Sequence, residues 1–285
     1  MRLLSFIKSQ KANWLGLLGA TLLAILLALA LFEPWLGLPD PTRGDLRARM
    51  MAPTISWTSL GPHPFGTDQL GRDILSRIIA GSRVTLAIAG SAVLLGGLVG
   101  VLLGLMAGYF GGWWDRILMR LVDIQLAFPL MLLALLVVAA LGPNFQNLIA
   151  VLALTSWVRY ARIIRAQVLS VREREFVLAV IGMGAGHTRI LLRHILPNVL
   201  TPALVVATLE LARTIVLEAG LSFLGLGIQP PYPSWGRMLA DGRTYIATAW
   251  WIITLPGLAL MLTVLSVNLL GDWLRDWLDP RSERS

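Results

Sequence analysis

Residues 84–110 read VTLAIAGSAVLLGGLVGVLLGLMAGYF, an apolar run of 27 residues without a charged side chain. About 20 such residues cross the hydrocarbon of a bilayer as a helix. Strands of a membrane barrel would be near ten residues long with alternating polarity, so length decides for helix. Gly96, Gly100, Gly104 and Gly108 recur every fourth position. That spacing puts them on one helical face and offers a flat strip to a neighbouring helix.

Further apolar runs occupy 14–32, 117–141, 148–157, 199–224 and 247–270, the short fourth extending towards 164. The sequence therefore predicts an all-α integral membrane protein with about six transmembrane helices. Composition agrees, with 56% apolar and only 14% charged residues, against about 25% charged in soluble domains. The formal charge of +8 fits Arg and Lys gathered in cytoplasmic loops better than it fits nucleic-acid binding. Arg159, Arg162, Arg165, Arg172 and Arg174 cluster in the longest such loop. This bias places both termini in the cytoplasm. The first run, preceded by basic residues and holding Ala28-Leu29-Ala30, resembles a cleavable signal, but its length favours an uncleaved anchor. Three regions follow: 1–83 with the first helix and an outer segment, a core of five helices at 84–275 with a cytoplasmic loop at 166–197, and a cytoplasmic tail at 276–285.

Charges inside the spans mark candidate sites, because an ionised group at mid-bilayer faces protein or water. Glu210 and Arg213 stand three apart and can pair on one face. They, with Glu218, are either a structural arrangement or part of a substrate path. Asp123 is within reach of Arg120 on the same helix. The chain lacks cysteine, and no phosphate-binding loop, HExxH or GxSxG occurs. His63, His187 and His194 lack a carboxylate spaced to complete a metal site. No catalytic residue, bound metal or cofactor is predicted in the chain, and any pumping would take its energy from another subunit.

The 159–197 loop should read as helix, glycine turn, helix. Gly182, Gly184 and Gly186 form the turn, and a second short helix is predicted over 188–196, stopping at Pro197. Ile190, Leu191, Ile195 and Leu196 could then form an exposed apolar face. Such a face suits a partner's groove or the lipid headgroups.

The segment 175–197 resembles the EAA loop of ABC importer permeases, whose pattern is EAA, three residues, Gly, nine residues and I-x-L-P. Aligned on Gly184, it places Leu178, Ala179 and Val180 at the EAA positions and ends on His194-Ile195-Leu196-Pro197. Other segments are similar to the dipeptide/oligopeptide/nickel permease family, second-subunit type. They include HPFGTD at 63–68, LGRD at 70–73, AGYFGG at 107–112, LSFLGLG at 221–227 and NLLGD at 268–272. The resemblance implies a type I permease fold in the bacterial inner membrane, paired with a homologous permease. It implies two ATPase subunits holding ATP and Mg²⁺, and a periplasmic or lipid-anchored solute-binding protein. Glu175, Leu178, Ala179, Gly184, Ala185, Ile190, Leu191, Ile195, Leu196 and Pro197 would dock the ATPase. Leu178 replaces the family's glutamate there, so Glu175 supplies the charge or the docking relies on apolar contact. Peptides are the favoured cargo; nickel chelates, glutathione, opines and oligosaccharides are alternatives within the family. An ion-driven secondary transporter would instead show inverted repeats and broken, charged helices, and an intramembrane enzyme would need catalytic groups on facing spans.

Overall fold

The computed structural model describes residues 2–54 and 63–278; the tail expected at 276–285 lies outside them beyond Leu278. Ten α-helical segments follow one another, and no strand occurs among the described residues. Among the described residues, five helices are long and apolar enough to cross a membrane, or six if one bent pair is counted as a span.

The first helix, α1, spans Arg2–Phe32, and α2 spans Ile74–Phe110. At 1.5 Å per residue, a helix of this length measures roughly 55 Å, well beyond a hydrocarbon core of about 30 Å. The sequence reading began this span at residue 84. The helix starts ten residues earlier because Asp73 caps it, accepting from the Ser76 amide at 2.8 Å and its hydroxyl at 2.7 Å. Its polar first turns are buried: Ile74, Ser76, Arg77 and Ile78 lie inside the protein rather than in lipid.

Next come α3 (Gly112–Ala127) and α4 (Leu130–Leu141), which meet at an angle of 89°. The third span expected over 117–141 is therefore bent, and it counts as one crossing only if the pair is taken as a broken span. Pro129 disfavours the helical state at the residue before it, and Phe128 is extended at φ −90°, ψ 135°. Hydropathy could not see this break, because both residues are apolar.

Helix α5 (Phe145–Arg172) runs parallel to α2 and makes its most extensive contact with it. The glycine strip is the reason. A Cβ on Gly104 would lie 2.7 Å from the Ala161 carbonyl, and one on Gly108 would lie 2.7 Å from Val168 Cβ. At Gly100 it would stand 2.5 Å from Tyr160 Cβ, and at Gly96 2.8 Å from the Ala153 carbonyl. Lipid tails are as apolar as leucine, so close backbone approach supplies much of the association.

After α5 come α6 (Glu175–Gly182) and α7 (His187–Arg189), then a π-helical stretch over Ile190–Ile195 leading into α8 (Leu196–Phe223). The expected stop at Pro197 does not occur. Pro197 sits in the first turn of α8, where a missing amide is tolerated, and the wider π turn absorbs the misfit. Asn198 Nδ2 donates to the His194 carbonyl at 2.7 Å across this junction. The chain ends with α9 (Trp235–Gly242) and α10 (Trp251–Leu278). The last helix runs through residue 275, where a domain boundary was expected. It packs against α1 through Gly19, whose added Cβ would lie 2.8 Å from the Ser266 carbonyl.

We expect Gly104→Val to overpack the α2–α5 contact by about 1–3 kcal/mol, lowering the unfolding temperature of the purified protein. Gly90→Ala, on the same helix with no atom within 4 Å of the added carbon, should leave it unchanged or raise it. Thermal unfolding in detergent checks both.

Candidate functional site

Two surfaces carry the candidate residues: the α6–α7 turn at one end of the bundle, and a groove midway along it.

At the turn, α6 keeps one face inward. Val177 is fully buried against Ile164, Val168, Val171 and Ile190. The opposite face, Glu175, Leu178, Ala179 and Gly182, is exposed, following helical spacing. Phe176, Ile181 and Met183 widen it, Met183 being 76% exposed. The helix ends in a Schellman cap: the Gly184 amide donates to Ile181 O at 2.9 Å and that of Ala185 to Val180 O at 3.3 Å. The cap requires a left-handed residue, and Gly184 has φ +76°. No atom lies near its missing side chain, so backbone conformation alone demands glycine.

The apolar face expected at 190–196 is not exposed. Ile190 and Ile195 are buried in the same cluster as Val177, while Leu191 and Leu196 are half-buried against it. The reason is the continuous π-to-α8 helix, which turns this stripe into the bundle. Ala185 is half-buried and Pro197 exposed. The outward apolar surface is thus supplied by α6.

The turn is tied to the end of α2. Arg172 donates to the Gly108 carbonyl at 3.1 Å, satisfying a helix terminus. Tyr109 Oη and His187 Nδ1 are 2.8 Å apart. Arg165 clamps Asp115 of α3 with two nitrogens, one at 2.7 Å. Asp123, expected to pair with Arg120, instead accepts from Arg162 of α5 at 2.6 Å.

Midway along α5 and α8, Glu210 is 3.1 Å from Arg159 and 3.7 Å from Arg213. The intrahelical pair was legible from spacing. Arg159 stands just past the uncharged part of the fourth run, and spacing along one helix gives no sign of its partnership with Glu210. Glu210 is buried, whereas the side chains of Arg159 and Arg213 are 48% and 35% exposed. Glu218 does not join them. It is fully buried and accepts from Ser222 Oγ at 2.6 Å, near Ser234 before α9. It is enclosed within the chain rather than set on the groove.

The far end is closed by a polar cap that sequence reasoning did not assemble. Arg72 donates to Asp68 at 2.6 Å, Arg77 lies 3.6 Å from the same carboxylate, and Arg237 pairs with Asp241 at 3.0 Å. Trp235 donates to the Ile78 carbonyl at 2.9 Å and Trp251 to that of Thr67 at 3.0 Å. The residues 63–73 thus pin the start of α2 to α9 and α10.

Fold and site together define a polytopic helical membrane protein with an exposed turn at one end and a charged groove within. The chain belongs to the family of binding-protein-dependent transport system inner membrane components, whose model matches residues 100–284. It is 45% identical to the Di/tripeptide transport system permease protein DppC of Pseudomonas aeruginosa, over 93% of this chain and 88% of that protein. Identity is 41% to the Dipeptide transport system permease protein DppC of Alkalihalophilus pseudofirmus, covering 96% and 88%. It is 38% to the Probable D,D-dipeptide transport system permease protein DdpC of Escherichia coli, covering 95% and 89%.

Replacing Glu210 by Gln leaves two guanidiniums without a carboxylate between them. Breaking a buried ion pair costs about 3–5 kcal/mol, and partial exposure of both arginines should reduce this to roughly 1–3 kcal/mol. The expected result is a lowered unfolding temperature, measured on the purified protein beside Glu175→Gln, an exposed control.

Proposed function

We propose that this chain is a permease subunit of an ATP-driven importer that carries di- and oligopeptides across the bacterial inner membrane. It does so with a homologous permease, two ATP-binding subunits that hold ATP and Mg²⁺, and a periplasmic or lipid-anchored binding protein. The peptide relatives support the cargo class. The observation that carries the mechanism is the exposed face of α6, joined through α7 and the π stretch directly into α8, which bears Glu210 and Arg213.

On this reading the α6 end and both termini face the cytoplasm. An ATPase groove receives Leu178, Ile181 and Met183, with Glu175 offering charge one turn before Leu178. Leu178 stands where related permeases have glutamate, so apolar contact dominates the docking. ATP closes the ATPase pair, and differential affinity for the two permease states moves the turn. Because Val177 and Ile190 lock α6 to α5 and α8, and His187 ties the turn to Tyr109 of α2, the turn moves with these helices rather than alone. The binding protein meets the opposite end, where Tyr232, Ile246 and Trp250 are exposed.

The absence of native cysteine makes sidedness measurable. Met183→Cys should react in intact cells only with a membrane-permeant maleimide, and Tyr232→Cys also with an impermeant one. The reverse pattern overturns the orientation.

Coupling rests on the cap. Gly184→Val places a β-branched residue at φ +76°, at about 1–2 kcal/mol for the left-handed state. Loaded binding protein should then fail to stimulate ATP hydrolysis by the complete reconstituted importer, although the chain still inserts. Gly184→Asn, which tolerates that conformation, should retain most of the stimulation. Normal coupling in the valine variant would sink the idea.

A further inference from the structure

Two cavities meet at the mid-span cluster. One, of about 200 Å³, is lined by Gln125, Thr155, Arg159 and Arg213 among apolar neighbours. The other, of about 630 Å³ between α4, α8 and α10, is lined by Arg213, Asn268 and a wall of leucine, valine and methionine. Leu130 and Arg213 belong to both.

Among the described residues, every charged side chain lining these cavities is an arginine. Glu210 sits behind them, only 3% exposed, and accounts for one charge where two guanidiniums are present. A guanidinium does not lose its proton in a protein, so one positive charge stays unbalanced halfway across the bundle. Such a charge is kept inside a membrane protein where it meets water or an anionic group. Its hydrogen-bonding fork suits a carboxylate, which it can hold with two parallel bonds. Glu210 fixes the positions of both arginines while leaving their outer edges free.

We propose that Arg213, with Arg159 held beside it by Glu210, is the station in this chain's half of the pathway that takes the terminal carboxylate of a passing peptide. The apolar wall formed by Met131, Leu209, Val216 and Val264 accommodates the peptide's side chains. The attraction is transient by construction: Glu210 competes for the same guanidiniums, so the carboxylate can be released as the helices move.

This inference rests on the peptide-importer reading, and the experiment separates the two. The complete importer is reconstituted in proteoliposomes, and uptake is compared for a tripeptide with a free C-terminal carboxylate and for its C-terminal amide. Each is supplied as saturating, verified-loaded binding protein, so that delivery does not set the ratio. The wild-type protein should favour the acid. Arg213→Gln should lower uptake of the acid by about tenfold or more, the size of a lost charge-assisted bond, and that of the amide by less than about twofold on the same scale. The acid-to-amide ratio then falls towards one. Arg159→Gln should lower the ratio partway, and Arg213→Lys should keep much of it, since lysine preserves the charge without the fork.

Equal losses for both peptides, or an unchanged ratio in Arg213→Gln, would overturn the assignment and leave a structural role. If Arg213→Gln does not assemble, the ratios in Arg213→Lys and Arg159→Gln decide it. A wild-type importer that takes up both peptides without preference defeats this inference alone. One that takes up no peptide defeats the importer reading, and this inference with it.

Discussion

The close approach of α2 and α5 governs the rest of the molecule. In lipid, burying apolar surface between helices gains little, so association depends on how nearly two backbones can touch. Gly96, Gly100, Gly104 and Gly108 remove the side chains that would hold α5 away. The register this sets brings Arg172 to the open carbonyls of α2 at Gly108. It also sets the height of Arg159, one residue before the Tyr160 that packs over Gly100. The docking turn and the charged groove both take their positions from this one contact.

A second constraint is the handling of charge. At the far end, Asp68 and Asp241 hold Arg72, Arg77 and Arg237 together within a compact cap. At the α6 end, Asp115 and Asp123 are matched by Arg165 and Arg162. Midway, two arginines face one glutamate. These two arginines reach the groove, whereas Arg72 and Arg77 of the cap are buried, and this exposure gives the groove its electrostatic preference. The fully enclosed Glu218 meets hydroxyl groups instead and serves the joint between α8 and the start of α9. Two glutamates on one helix thus occupy unlike environments, because successive turns of α8 face different neighbours.

The sequence made most crossings legible, since a long uncharged run has few other uses. The capping turn at Gly184 was legible too, as a glycine following a short apolar helix. Interhelical pairs such as Arg162 with Asp123 were not, because spacing along one helix says nothing about which other helix lies opposite. The break at Phe128-Pro129 was hidden by its own hydropathy. The error at Ile190 and Ile195 has a similar origin: an apolar stripe looks the same whether it faces a partner or the chain's own core. It was resolved only by the continuity of α7 with α8.

By itself, then, the amino-acid sequence determined the helical class, the membrane solvent, the glycine face of α2 and the family, because these rest on local composition, spacing and motif. Tertiary structure decided which face of the 175–197 segment is outward and which arginine answers Glu210. It also decided that Glu218 is shut inside. Those outcomes depend on rotation and register between helices, which are set by contacts far apart in the chain and have no local signature. The turn around Gly184 shows both levels together: its conformation follows from a single residue, and its direction from the bundle that holds it.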